Sequence, residues 1–298
     1  MKPYALLSCL VLVHCQAAPP MKQAPSLVVD EQDEEQDDGD DGGAWPDAAR
    51  ESGSDTDRVL GSYETRFSRL GDPARAHNID LAAKNLDGLV IAPGAEISFN
   101  QIVGPRDWKH GYRMAHQIID GEAVDGLGGG TCQVASTLHA AAYLAGLEIT
   151  ARRPHSRPSA YVKLGLDAAV MYTSNLDLKI RNPWTMPVVI HETVDNDLVR
   201  TELLGREKPA DVSYAYKVLY TMSFERKVVI DPEMTAPKRT QKGIRGVQIR
   251  RTRVFTFADG THRDEDSTDV YPPTMEIWHL PSEENRANLP GLGQEMPK

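Results

Sequence analysis

The feature that most constrains the fold is an acidic segment near the N-terminus, residues 30–57. It holds 13 acidic residues and a single basic one, Arg50, so it carries a net charge of −12 in a chain whose total is −10. Because like charges repel one another and the segment has few apolar side chains, we expect it to form no packed core. We therefore predict a disordered linker over residues 19–60 and a folded body that begins near residue 61.

The first 18 residues, MKPYALLSCLVLVHCQAA, have a lysine followed by an apolar run and then small residues. This order is typical of a secretory signal peptide, with cleavage expected after Ala17 or Ala18. An alternative is lipidation at Cys15, which would anchor the protein to a membrane. No later apolar run is long enough to cross a bilayer. We therefore predict an extracytoplasmic protein, in the periplasm or cell envelope, with a lipoprotein as the alternative form.

Beyond the linker, two segments have the apolar spacing of a helix. The first covers residues 79–86, and the second covers residues 132–145 and is followed by Gly146. Because runs of strands follow these helices, we predict an α+β fold in which the second helix packs on a mainly antiparallel sheet. The predicted strands are residues 96–99, 117–119, 122–124, 148–152, 161–164, 168–172, 176–180 and 187–193.

A small all-β module is predicted at residues 216–281. Its strands are expected at residues 227–230, 247–257 and 275–280, with a hairpin turn at Asp259-Gly260. The predicted organisation is therefore a main domain at residues 61–215, this module, and a flexible tail at residues 282–298.

Cys132 follows three glycines and stands at the start of the second predicted helix. Thr131 is predicted to cap that helix. Free N–H groups and the helix dipole at this position favour a thiolate, which is the nucleophilic form of cysteine. Gly129 and Gly130 would let a substrate backbone or a tight turn approach the sulfur. Since signal cleavage removes the other two cysteines, Cys132 is either a nucleophile or a small packed residue without a disulfide partner.

A cysteine nucleophile needs a base, and the base needs a group that orients it. His155 lies 23 residues after Cys132, and Asp167 lies 12 residues further on. This order predicts a Cys-His-Asp catalytic set, in which the residues would have the same roles as in papain-like and transglutaminase-like enzymes. The alternatives are a loop histidine and a turn aspartate without catalytic roles. His139, on the second helix, is interpreted as a core histidine satisfied by the backbone.

Other kinds of site have little support in the sequence. There is no HExxH motif, no CxxC motif and no phosphate-binding glycine loop, so we predict neither a metal nor a cofactor. Arg245, Arg250, Arg251 and Arg253 alternate with apolar residues, which is typical of a solvated strand face and not of a nucleic-acid surface. We therefore expect no nucleic-acid partner.

Three segments carry a more specific pattern: NIDLAAKNLDGLVIAPGAEISFN, then GPRDWKHGYRMAHQIIDGEAVDGLGGGTCQVASTLHAAAYLAGLEITARRPHSRPSAYVKLGLDAAV, then DLKIRNPWTMPVVI. Together they span roughly residues 76–192, and they resemble the bacterial VanW domain family. The glycine-cysteine-glutamine core of the second segment is the most specific part. The module at residues 216–281 is similar in kind to the G5-like β segments that accompany such domains.

The resemblance implies a function, because some VanW domains act as L,D-transpeptidases of peptidoglycan. Cys132 would attack a stem peptide, expel its terminal D-alanine and pass the resulting acyl group to a neighbouring stem as a 3-3 cross-link. His155 is the expected base, and an arginine could hold a substrate carboxylate. The alternatives are a non-catalytic peptidoglycan-binding module, or a cysteine peptidase or carboxypeptidase acting on the same peptides. The expected substrate-binding residues are Gly129, Gly130, Gln133, Ser136, Arg106, Tyr112 and Arg181.

Overall fold

The structure is a computed structural model that describes residues 58–119, 122–174 and 176–292. The predicted signal peptide and almost all of the predicted linker lie outside these residues, as does the end of the predicted tail. Among the described residues, no helix is both long and apolar enough to cross a membrane.

The described residues form three α-helices, several antiparallel sheets and one parallel strand pair. The helices are α1 (Pro73–Leu86), α2 (Phe99–Val103) and α3 (Thr131–Leu144). The first strands are β1 (Arg58–Arg66), β2 (Val90–Ile91), β3 (Glu96–Ser98), β4 (Met114–Ile119), β5 (Glu122–Leu127), β6 (Glu148–Ala151), β7 (Lys179–Arg181), β8 (Val188–Asp195) and β9 (Leu198–Gly205). The later strands, which we call the C-terminal β module, are β10 (Ala210–Met222), β11 (Arg226–Ile230), β12 (Lys238–Gln241), β13 (Gly246–Phe257), β14 (His262–Tyr271) and β15 (Glu276–Leu280).

The main core lies between two helices and a four-stranded antiparallel sheet in the order β1-β9-β8-β2. Helix α3 packs on β1 and β9, and α1 packs on β8. Ile79 of α1, Leu138 of α3 and Ile190 of β8 are all fully buried in this layer. Burying each such side chain contributes about 1.5–3 kcal/mol, so this layer fixes the position of both helices.

Two local features set the helices on that sheet. The carboxylate of Asp72 accepts the N–H of Arg75 at 2.9 Å, and Pro73 occupies the first helical position, so α1 begins there. Helix α3 approaches β1 so closely that a β-carbon at Gly61 would overlap the backbone of Ala145. Glycine at position 61 is therefore required by this contact.

Two smaller elements flank the core. Strands β3, β7 and β6 form an antiparallel sheet in that order. Strands β4 and β5 form a hairpin whose register runs from Met114 opposite Leu127 to Ile119 opposite Glu122. This hairpin leads directly into the glycines that precede α3, so it delivers Cys132 to its position.

The C-terminal β module contains two three-stranded sheets, β10-β13-β14 and β11-β15-β12. All of its strand pairs are antiparallel except β11 with β15. The predicted hairpin turn at Asp259-Gly260 is confirmed, because Thr256 pairs with His262 across it and Gly260 has a φ of 81°. Strand β10 runs without interruption through the boundary predicted between residues 215 and 216.

The predicted mainly antiparallel α+β character is confirmed, but two predicted strands are wrong. Residues 161–164 form a turn, and residues 168–172 run as irregular chain with one isolated bridge between Met171 and Leu176. The irregular segment is apolar because it is buried against α3, where the N–H of Ala168 donates to the Ser136 hydroxyl at 2.9 Å. Its backbone groups thus find partners without a neighbouring strand.

The prediction of a solvated arginine face on β13 is wrong for two of its four members. Arg253 is 6% exposed and donates to the carbonyls of Tyr143 (3.2 Å) and Leu147 (2.9 Å), at the end of α3. Arg251 donates to the carbonyl of Gly165 at 2.8 Å. The other two arginines are exposed. Arg253 thus places its cation beside carbonyls at the C-terminal end of α3, where a positive charge is favourable.

Candidate active site

Helix α3 begins one residue earlier than the sequence predicted. Its N-cap is Gly130, with a φ of 110°, and Thr131 is the first helical residue. The Thr131 hydroxyl does not cap the helix but donates to the carbonyl of Gly128 at 3.0 Å. The predicted threonine cap is therefore wrong, because the left-handed backbone at position 130 makes glycine the cap. Cys132 is the second residue of the helix, within its first turn.

The glycines before Cys132 allow close approach of the protein's own chain. A β-carbon at Gly129 would lie 2.6 Å from the carbonyl oxygen of Ala115, and one at Gly128 would lie 2.6 Å from the Arg106 side chain. Gly129 also accepts from the Asn78 amide at 2.9 Å. Gly129 and Gly130 are both buried. Their contacts therefore account for the glycines without a substrate, whereas the sequence analysis expected them to bind one.

Cys132 is partly exposed, and its thiol donates to the carbonyl of Val170 at 3.4 Å. Val170 belongs to the irregular segment that crosses the start of α3. The thiol also interacts with the ring of His155. The thiol therefore lies beside the histidine that the sequence predicted as its base.

His155 is buried and held by one carboxylate oxygen. Asp167 Oδ2 accepts both the backbone N–H of His155 and its ring Nδ1–H, each at 2.7 Å. Since Nδ1 is occupied in this way, Nε2 is the nitrogen left to exchange a proton with the thiol of Cys132. The structure therefore brings together the three residues of the predicted Cys-His-Asp set, in the order that such a set requires.

The other oxygen of Asp167 has two partners that the sequence analysis missed. Oδ1 accepts from Arg152 Nη2 at 2.8 Å and from the hydroxyl of Tyr271 at 2.5 Å. Arg152 also binds Asp269 at 2.6–2.7 Å, so the ion pair extends into β14. Tyr271 and Asp269 both belong to the C-terminal β module, which therefore helps to fix the carboxylate that orients His155.

The pKa values of this set favour a charged pair. Burial lowers the pKa of His155, but its bond to Asp167 and its interaction with Cys132 outweigh burial and raise it to about 9. Burial raises the pKa of the Cys132 thiol, but His155, the Val170 backbone and the charge of Arg106 outweigh that effect and lower it. Both shifts favour the charged forms, a thiolate at Cys132 and an imidazolium at His155.

Asp167 stays ionised in this environment. Burial raises the pKa of its carboxyl, but the hydrogen bonds from His155 and the charge of Arg152 outweigh burial and hold the pKa well below its usual range. A permanent negative charge at this position stabilises the imidazolium form of His155.

Tyr161 covers the histidine and was also missed. Its ring stands perpendicular to the ring of His155, with centroids 6.4 Å apart. Its hydroxyl interacts with Ser136 and Ser159, and burial together with the charge of Cys132 raises its pKa. No sequence pattern indicates this role, since residues 161–164 have the apolar character predicted for a strand.

Two of the predicted substrate-binding residues serve mainly to hold α3. The amide nitrogen of Gln133 donates to the hydroxyl of Thr65 and to a carbonyl of β1, each at 2.9 Å. The hydroxyl of Ser136 donates to the carbonyl of Cys132 at 2.7 Å and accepts from Ala168. Both side chains are almost fully buried. They position the start of the helix.

Arg106 and Tyr112 lie behind the site. Arg106 donates to the carbonyl of Gly104 at 2.7 Å and to the Asn100 side chain at 2.8 Å, and its charge lowers the pKa of Cys132. Tyr112 is 1% exposed, and burial raises its pKa to about 12. Arg106 therefore acts on the thiol electrostatically, and Tyr112 packs in the core.

Arg181 is placed elsewhere. It lies on β7, where its exposed guanidinium pairs with Glu96 at 3.3 Å and Glu148 at 3.4 Å. These partners belong to β3 and β6, so the described contacts of Arg181 join it to the small sheet and not to Cys132.

His139 is a core residue, as predicted. Its Nδ1 lies 2.8 Å from the carbonyl of Leu166, and burial lowers its pKa to about 3, so it is neutral at physiological pH. Within the part of the chain that the structure describes, no three His, Cys, Asp or Glu side chains are grouped in a way that could hold a metal ion.

Comparison with known proteins finds similarity over the central part of the chain. A family model described as "VanW like protein" matches residues 74–204. The "Uncharacterized protein YoaR" of Bacillus subtilis (strain 168) is 43% identical over 131 residues, which cover 44% of this chain and 43% of YoaR. The "Vancomycin B-type resistance protein VanW" of Enterococcus faecalis (strain ATCC 700802 / V583) is 28% identical over 160 residues, covering 52% of this chain and 58% of that protein.

The chain thus spans about half the length of the curated relatives it matches. Cys132, His155 and Asp167 all fall within the matched residues, whereas Asp269 and Tyr271 lie beyond them. Among solved structures, one titled "IgA1 Protease G5 domain structure" is similar at 17% identity and a TM-score of 0.17, covering 24% of this chain and 92% of that one.

Proposed function

We propose that this chain, whose residues 74–204 match the model of VanW-like proteins, is an exported cysteine acyltransferase of the cell wall, an L,D-transpeptidase acting on peptidoglycan stem peptides. The observation that carries the proposal is the continuous set of contacts from Cys132 through His155 to Asp167. The peptide substrate and the export of the protein come from the family resemblance and from the N-terminal sequence.

In the first half of the reaction, the Cys132 thiolate attacks the carbonyl carbon of the donor peptide. The tetrahedral oxyanion that forms lies near the first turn of α3. Two N–H groups of that turn already donate to backbone carbonyls, Thr131 to Gly128 at 3.1 Å and Gln133 to Gly130 at 2.9 Å. The N–H of Cys132 itself is therefore the donor expected to bind the oxyanion. Collapse of this intermediate breaks the peptide bond. The His155 imidazolium gives its proton to the departing amine of the terminal D-alanine, and a thioester remains on Cys132.

In the second half, an amine of a neighbouring stem peptide attacks the thioester. His155, now neutral, takes the proton from that amine as the new amide bond forms. The thiolate leaves, and the charged pair with His155 is restored. Asp167 remains ionised throughout, because it is held by Arg152 and Tyr271 as well as by His155.

The state of the thiol favours this proposal over a packed, non-catalytic cysteine. A buried structural thiol has its pKa raised by its apolar surroundings. The pKa of the Cys132 thiol is instead lowered, because His155 and the other neighbouring groups outweigh the effect of burial. Perturbed groups with a stated charge partner cluster at functional sites, which supports a catalytic role.

The proposal is tested by incubating the purified protein with stem tetrapeptides and analysing the products by mass spectrometry. The expected product is a peptide dimer joined by a 3-3 cross-link, with release of D-alanine. Cys132→Ala is expected to form none, and Arg181→Gln, whose contacts lie in the small sheet, serves as the control that is expected to form them. Release of D-alanine without dimers would indicate a carboxypeptidase. No product from the wild type, beside a known transpeptidase that forms dimers, would refute catalysis and favour a binding module.

A further inference from the structure

A groove of about 540 Å³ opens beside the candidate site. It runs between the end of β1, the start of α1 and the loop that follows His155. Three of the residues that line the groove are close to Cys132. Gln133 follows it on α3, and the charge of the Cys132 sulfur raises the pKa of both Arg75 and Tyr161. The residues that line it are Glu64, Thr65, Arg66, Arg75, Gln133, Ala160 and Tyr161.

Arg75 is the unusual member of this groove. It is half-buried, and burial is the largest influence on its pKa, which is lowered. Within the described part of the chain, its guanidinium makes no hydrogen bond or ion pair; the carboxylate of Asp72 attracts it but binds its backbone N–H instead. A partly desolvated cation without a bound counter-ion is unfavourable, so an anion supplied by a ligand would be stabilised there.

The other charged residues that line the groove also favour an anionic ligand. Arg66 stands exposed on β1 and adds a second positive charge. The carboxylate of Glu64 is already paired with Arg200 at 2.9 Å, which offsets its charge. Two arginines therefore line the groove together with one carboxylate that is already paired, which favours a negatively charged ligand.

We propose that this groove binds a carboxylate of the substrate and that Arg75 is the residue that recognises it. A guanidinium binds a carboxylate through two parallel hydrogen bonds, which fix its orientation as well as its position. A carboxylate held at Arg75 would place the neighbouring peptide bond beside the sulfur of Cys132. The inference rests on the proposed function for the identity of the ligand as a stem peptide.

Two carboxylates of a stem peptide share this chemistry. One is the C-terminal carboxylate of the residue that leaves, and the other is a free carboxylate within the donor portion. Three synthetic tetrapeptides separate them: one with all carboxylates free, one with a C-terminal amide, and one with the internal carboxylate amidated.

The test is peptide binding by a Cys132→Ala protein, measured by titration calorimetry, so that no turnover occurs and the charge of the sulfur plays no part. Adding Arg75→Gln is expected to weaken binding of the fully free peptide about tenfold or more. The same change should leave unaltered the affinity for whichever amidated peptide lacks the recognised carboxylate. Arg75→Lys, which keeps the charge but not the two-pronged geometry, should lie between the two.

Arg58→Gln is the matched control, because Arg58 is an exposed arginine at the other end of β1 and the change removes the same charge. It should leave all three affinities unchanged. Equal affinities with and without Arg75→Gln, an equal loss for all three peptides, or no binding of any peptide would overturn the inference. A wild-type protein that binds in this Arg75-dependent way but forms no product would instead count against the proposed function alone.

Discussion

Replacing Asp167 by asparagine removes the charge that orients His155 while keeping the shape of the side chain. The imidazolium form of His155 would lose one of its two negatively charged partners, so its pKa should fall from about 9 toward its ordinary value of 6.5. The Cys132 thiolate would lose its cationic partner in turn, so the pKa of the thiol should rise.

The size of the effect follows from the pKa of His155. In the wild type it is raised from 6.5 to about 9, chiefly by Asp167 and Cys132 against the effect of burial. A fall of about two units corresponds to about 3 kcal/mol, or to a loss of the charged pair on the order of 100-fold at neutral pH. Alkylation of Cys132 by iodoacetamide at pH 7 should slow accordingly, and its midpoint on the pH axis should move upward.

Asp269→Asn is the matched control. Asp269 belongs to the same ion-pair network, where it binds Arg152 at 2.6–2.7 Å. The aspartate of that network that binds His155 is Asp167. Both changes should lower the free energy of unfolding, because each one weakens an ion pair of Arg152. Only Asp167→Asn should alter the alkylation profile, because only Asp167 accepts from the histidine ring.

The rate of alkylation at Cys132 is followed from pH 4 to 10 by peptide mapping, which separates Cys132 from the cysteines of the N-terminal region. Thermal unfolding of each variant is recorded beside it. If the profile of Asp167→Asn coincides with those of the wild type and Asp269→Asn, the charge of Asp167 does not act on the thiol through His155 and the reasoning is refuted.

Three further predictions follow from single contacts. Gly129→Ala places a β-carbon 2.6 Å from the carbonyl of Ala115, so it should lower the free energy of unfolding by about 1–3 kcal/mol; unchanged denaturant unfolding would contradict the close approach. Burial raises the pKa of the Glu192 carboxyl well above its ordinary value, although a hydrogen bond from Thr201 opposes this shift. Glu192 therefore contributes to the stability of the fold at low pH, and this contribution is lost as the pH rises through the folded pKa. Glu192→Gln should therefore raise the melting temperature at pH 8 but not at pH 4, and an equal effect at both would exclude the titration of this group. Arg181→Gln should leave alkylation of Cys132 and cross-link formation unchanged, and a marked loss of either would place Arg181 in the site after all.

The sequence predicted α1 and α3 because their apolar spacing is a local property, but the spacing marked only residues 79–86 of α1 (Pro73–Leu86), and the short helix α2 was missed. Helix α3 was off by one residue at its start, since the cap depends on the φ of 110° at Gly130, which the sequence does not reveal. The strands predicted at residues 161–164 and 168–172 were wrong for a related reason. A short apolar run has the same sequence pattern whether it forms a strand or lies buried as irregular chain. Here the backbone of Ala168 bonds the Ser136 side chain and not a neighbouring strand, a contact that the sequence pattern does not show.

The three central residues of the candidate site could be named from chain order, because they lie within one stretch that folds back on α3. Their supporting residues could not. Tyr271 lies 104 residues from Asp167 in the chain, and it contacts Asp167 only because β14 packs beside the segment that holds this aspartate. Tyr161 and Arg75 likewise acquire their positions through packing, so neither shows a distinctive pattern in the sequence.

The most direct test of the central claim is a search for the thioester itself. Wild-type protein is mixed with a stem tetrapeptide, quenched in acid within milliseconds to seconds, and digested for peptide mapping. The account predicts that the peptide containing Cys132 gains the mass of the acyl portion, that hydroxylamine removes this mass, and that His155→Gln slows its appearance. A donor peptide that turns over while Cys132 remains unmodified at every time would contradict the account.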